Sequence, residues 1–76
     1  MQELVTHIAT ALVDNPEQVT VSCSENDDTV AIELTVAQED LGKVIGKQGR
    51  TARAMRSLLA AAAARDNKKS RLDILE

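Results

Sequence analysis

Hydrophobic residues along this 76-residue chain change period three times, and that succession leaves few folds open. Residues 2 to 13 carry Leu4, Val5, Ile8, Ala11 and Leu12 at helical spacing. Asp14-Asn15-Pro16 ends this segment, because Pro16 cannot continue a helix and disfavours helical geometry at Asn15. Two alternating segments follow, Val19, Val21 and Cys23 in the first and Val30, Ile32, Leu34 and Val36 in the second. The polar residues between them, with Asn26-Asp27 suited to a turn, predict a hairpin. Glu39 and Asp40 then stand where a helix N-terminus favours negative charge, ahead of Leu41, Val44 and Ile45. Gly46 and Gly49 interrupt that short helix. Residues 50–65 are alanine-rich, and Thr51, Met55, Leu58, Leu59 and Ala62 give them an apolar stripe. After a polar loop at 66–70, Leu72 and Ile74 alternate with Arg71 and Asp73 as a short last strand.

The predicted order is α-β-β-α-α-β. A three-stranded sheet needs one face covered, and three helices with apolar stripes can cover it. The last strand follows a helix pair, so it can lie parallel to the second through a crossover, making the sheet mixed. The expectation is a two-layer α+β domain filling residues 1–76. A chain this short has room for one core, which argues against a deeply enclosed active site.

Charge divides the chain more sharply than its net value of −3 suggests. Before Lys43 there is no lysine or arginine, against nine acids. From Lys43 onward nine cations face three acids, and residues 43–65 contain no acid. Surface potential follows local charge, so one electropositive surface can exist on an acidic molecule. A solvated helix face is the plainer alternative.

The stretch Val44-Ile45-Gly46-Lys47-Gln48-Gly49-Arg50-Thr51-Ala52 decides between them. Two glycines three apart let the backbone turn without side chains in the way, so a sugar–phosphate chain can approach closely. Main-chain N–H groups opening the following helix favour anions. Lys47 and Arg50 add cations there, and Arg53 and Arg56 extend the strip at three-residue spacing. A nucleotide P-loop is excluded, because Gly46-Lys47 is followed by Gln48 and the loop follows a helix. Gly42, Gly46 and Gly49 also lack dinucleotide-fingerprint spacing. A ligand-free glycine turn is the remaining alternative, and Gly42 reads as a small residue permitting close helix packing.

This stretch resembles the I-G-x-x-G motif of KH domains, and the element order resembles their type II, bacterial arrangement. Over essentially its whole length, including Ala11-Leu12-Val13-Asp14-Asn15-Pro16, the chain is similar to the KhpA (YlqC) family. The resemblance implies a single KH domain that clamps about four nucleotides of single-stranded RNA. Gly46, Lys47, Gln48 and Gly49 would hold phosphates, with Arg50 and Arg53 beside them, and Val44 and Ile45 would line the groove floor. Lys68, Lys69 and Arg71, around the loop before the last strand, would touch the RNA from the second side or stay solvated. It further implies self-association, or pairing with a larger multidomain KH protein (KhpB), and a part in post-transcriptional regulation of the RNA-chaperone kind. A protein-interaction module with incidental RNA binding is the alternative, suggested by Ala60–Ala64 and the acidic first half.

Other readings find little support. The chain has no Phe, Tyr or Trp, which excludes base stacking on aromatic side chains as in RRM and OB-type binders. One histidine, His7, and one cysteine, Cys23, supply neither a zinc set nor a catalytic triad, so no enzyme and no cofactor are expected. Cys23 continues the apolar alternation of its strand and is expected to be a buried thiol. No membrane span or signal peptide is visible, and a lone cysteine suits a reducing compartment, so the cytoplasm is the expected location.

Overall fold

The computed structural model describes residues 2–75. Helix α1 (Gln2–Leu12) leads through a short turn at Pro16–Gln18 into strand β1 (Thr20–Glu25) and strand β2 (Thr29–Thr35). A second turn, Gln38–Asp40, opens helix α2 (Leu41–Ile45); a third, Lys47–Gly49, joins it to helix α3 (Arg50–Ala64), and strand β3 (Lys69–Leu75) follows. The sheet is ordered β1-β2-β3, antiparallel in the first pair and parallel in the second. The fold is therefore α+β with a mixed three-stranded sheet and three helices, as the period changes predict.

The core is aliphatic. Val30, Ile32 and Leu34 of the central strand are fully buried between Val5 and Ala9 of α1, Val44 of α2, Met55 and Leu59 of α3, and Leu72 of β3. Each such aliphatic side chain contributes about 1.5–3 kcal/mol by leaving water. In both long helices the buried face is turned from the predicted stripe. In α1 it runs through Val5, Ala9 and Val13 while Leu4 and Leu12 stay partly exposed. In α3 it runs through Ala52, Met55, Leu59 and Ala63, leaving Leu58 51% exposed. Alanine at the interface lets a helix lie closer to the sheet than a stripe of larger residues would.

Two further expectations are corrected. Cys23 is exposed rather than buried. It pairs with Ile32 and shares its inward face, but β1 is an edge strand whose far half no helix covers. Strand β3 begins at Lys69, inside the predicted loop, because parallel pairing sets Lys69 beside Thr29 and its N–H donates to the Asp28 carbonyl at 2.7 Å. Helix α3 ends in a Schellman turn instead. Asn67 adopts φ 57°, Lys68 N–H donates to Ala63, and Asn67 N–H donates to Ala64.

Asp40 is the one buried charged residue described. Its carboxylate does not cap α2; it accepts hydrogen bonds from the N–H of Asp14 (3.2 Å) and Asn15 (3.0 Å) and from Asn15 Nδ2 (3.0 Å). Lys43 Nζ stands 3.5 Å away and also pairs with Asp14. The carboxylate thus fastens the end of α1 to the start of α2. Burial pushes the Asp40 carboxyl up, but the hydrogen bonds from Asn15 and the Asp14 and Asn15 amides, with the Lys43 charge, outweigh it and leave it below its ordinary 3.8. A folded pKa below the unfolded one means stability that is present above pH 3.8 and lost as pH falls through the folded value. Urea denaturation of wild type and Asp40→Asn should show the variant less stable at neutral pH. The gap should close in acid, below about pH 4.

Candidate nucleic-acid interface

Helix α2 stops because Gly46 leaves helical geometry at φ 78°, ψ 171°, after its N–H closes the last turn onto the Gly42 carbonyl at 2.9 Å. A β-carbon built on Gly46 would lie 2.8 Å from the Thr51 nitrogen and collide with the Thr51 side chain. Position 46 therefore requires glycine on two counts, conformation and space. Gln48 (φ 58°, ψ 25°) and Gly49 (φ 75°, ψ 14°) are both left-handed. Gly49 N–H donates to the Gly46 carbonyl at 3.1 Å, and α3 starts at Arg50. Gly42 differs: it is exposed, and an added β-carbon would meet nothing within 4 Å, so its expected packing role is not present.

At the tip, the side chains of Lys47 and Gln48 are exposed. Arg53 Nη2 donates to the Gln48 carbonyl at 2.7 Å, and Arg50 Nη2 lies 3.4 Å from Gln48 Oε1. Ile45, at the end of α2, is 38% exposed beside the loop, whereas Val44 is wholly buried in the core and offers no surface. Arg56, one turn beyond Arg53, reaches across to the edge strand, where Nε stands 3.4 Å from the Leu72 carbonyl. Its spacing from Arg53 marks it as part of the strip, but only the packing of α3 on β3 ties it to the sheet edge.

The structure gathers Lys47, Gln48, Arg50 and Arg53 at one place. Lys68, Lys69 and Arg71 are not brought there. Helix α3, 15 residues and so about 22 Å long, separates its starting loop from the Lys68–Lys69 end. Lys68 forms an ion pair with Glu25 at 3.2 Å. Arg71 pairs with Asp73 at 3.2 Å, and both point away from the helix layer because the intervening Leu72 points into it. Lys43 is likewise engaged: its bond to Asp14 raises the ammonium above its ordinary 10.5, outweighing burial, with the Asp40 charge assisting. Among the described residues no group of three or more His, Cys, Asp or Glu could hold a metal ion, and no helix is long and apolar enough to cross a membrane. Surface clefts along α1, at Thr6 and His7, and on the sheet at Ser22 and Glu33, are lined by none of the loop residues.

Residues 2–74 match the family model described as KhpA/KhpB, KH domain. The chain belongs to this KH-domain family. The arrangement described above is its type II fold, with the G-x-x-G loop between the paired helices, and the family is not an enzymatic one. The RNA-binding protein KhpA of Halalkalibacterium halodurans is 53% identical over 76 residues, covering all of both chains. KhpA of Listeria monocytogenes serovar 1/2a is 46% identical over the full length of both, and KhpA of Chlamydia trachomatis is 47% identical over all of this chain and 97% of its own.

Gly42, inside α2, and Gly46, which ends it, should respond oppositely to alanine in thermal and urea unfolding. Gly46→Ala is expected to cost about 1–3 kcal/mol through left-handed strain and the Thr51 clash. Gly42→Ala, at an open helical position, is expected to add about 0.5–1 kcal/mol of stability.

Proposed function

We propose that this chain binds single-stranded RNA, holding the backbone of about four nucleotides against the Gly46–Gly49 loop. The observation that carries the reading is the tip itself: exposed Lys47 and Gln48 between two positive-φ glycines, at the start of a 15-residue helix. Lys47 and the loop amides take the phosphates, Arg50 and Arg53 stand beside them, and Ile45 forms the apolar floor over buried Val44. Lys68, Lys69 and Arg71 are left as accessory cations. Relatives named RNA-binding protein support the ligand class.

An anisotropy titration of a short labelled single-stranded RNA across a salt series tests this. Wild-type affinity should fall with salt at a log–log slope of about −2 to −3, for three or four phosphate contacts. Lys47→Asp/Gln48→Asp should bind far more weakly while staying folded. Equal binding by the two proteins, or none by wild type at low salt, would rule the loop out as the site in this chain.

A single aliphatic module without stacking residues binds RNA weakly, and joining two modules raises the effective concentration. The chain therefore acts as a homodimer or beside a larger multidomain KH protein of the KhpB kind, in the cytoplasm, in post-transcriptional regulation. The protein-interaction reading draws on a separate observation: Leu58 is half exposed on α3, one turn from exposed Ala54 and Ala61. If this face joins two copies, Leu58→Glu shifts the protein to monomer in sedimentation equilibrium while circular dichroism still shows a cooperatively folded chain. An unchanged mass would place the contact elsewhere.

A further inference from the structure

The Gln48–Gly49 peptide is held at both ends. Its N–H donates to the Gly46 carbonyl at 3.1 Å, and its carbonyl accepts from Arg53 Nη2 at 2.7 Å. Residues on either side are left-handed, and the second is glycine. Gln48 carries a β-carbon and is strained at positive φ, so the bonds at the two ends of this plane help hold it in its orientation. In a trans peptide the N–H and C=O point to opposite sides, so the two bonds brace the plane from both sides, and rotating it would break both. A guanidinium on the carbonyl opposes that motion, and a charge-assisted bond of this length is among the stronger ones a side chain makes to the backbone. Arg50 meanwhile stands at the Gln48 side-chain oxygen. Lys47, by contrast, makes no hydrogen bond or ion pair among the described residues and is exposed at the tip.

We propose that Arg53 is a positioning residue that holds the Gln48 carbonyl and so sets the loop for phosphate, while Lys47 is one of the phosphate ligands. This rests on the RNA-binding reading above and divides its cations into two roles. It also places the role of Arg53 in the free protein, before any RNA is present.

The test compares wild type, Arg53→Ala and Lys47→Ala in two measurements. The first is the anisotropy salt series with a short labelled single-stranded RNA of mixed sequence. The second is amide NMR of the RNA-free proteins, with unfolding midpoints taken alongside. Lys47→Ala should make the salt slope shallower by about 0.7 and leave the Gln48 and Gly49 amides near their wild-type positions. Arg53→Ala should weaken binding roughly tenfold with the slope unchanged. It should also shift the Gln48 and Gly49 amides and speed their exchange, at an unfolding midpoint close to wild type. A slope shallower by about 0.7 for Arg53→Ala with unmoved loop amides would make Arg53 a phosphate ligand and overturn the proposal, as would wild-type affinity. If wild type binds no RNA, the RNA reading fails separately, and the loop amides alone decide whether Arg53 sets the loop.

Discussion

Parallel pairing of β3 with β2 is the constraint from which the rest of this small fold follows. Parallel neighbours cannot be joined by a tight turn; the chain must leave one end of the sheet and return to the other. Here the return is made by α2, the glycine loop and α3, laid over the face that Val30, Ile32 and Leu34 present. A single straight helix would carry the chain back equally well. Splitting it at Gly46 puts the corner at the end of the sheet, where backbone and two exposed polar side chains meet solvent. The loop is thus a consequence of the crossover and is held by the same core. Asp40 completes the arrangement by tying the entry of that crossover to the end of α1.

Net charge gives a misleading account of this surface. The acidic first half does not merely balance the basic second half; it neutralises particular members of it. Asp14 and Asp40 hold Lys43, and Glu25 holds Lys68. What is left over is not uniform along the basic run but concentrated at the loop and the first two turns of α3, where no acid follows until Asp66. A polyanion meets that local excess, not the average of −3.

The absence of aromatic residues has a matching consequence for how such a surface can work. Without rings to stack on bases, affinity must come from backbone contacts, whose strength depends on loop geometry more than on the bases bound. Geometry therefore carries weight that side-chain chemistry carries elsewhere. The demand for glycine at position 46, made by Thr51, and the bond from Arg53 to Gln48 are the places where that geometry is enforced.

Local pattern was enough for much of this. Hydrophobic period placed all three helices and all three strands, Pro16 stopped α1, and the glycine pair between helical segments marked the loop, because each depends on residues near in sequence. Packing and pairing were not legible in the same way. Period says which way Cys23 faces but not that the edge strand outruns its helices, so its exposure was hidden. Residues 58–64 of α3 are all leucine or alanine, so the choice of Leu59 and Ala63 over Leu58 for the interface came only from how closely α3 approaches the sheet. Asp40 looked like an ordinary acid at a helix start, since the amides it binds lie some 25 residues earlier. Which cations are free and which are engaged belongs to the tertiary structure as well. Ion pairs such as Lys68 with Glu25 join residues that only the folded sheet brings within reach. The sequence alone determined the elements and the loop. The fold decided which of its charges remain available there, because neutralisation depends on distance in space and not along the chain.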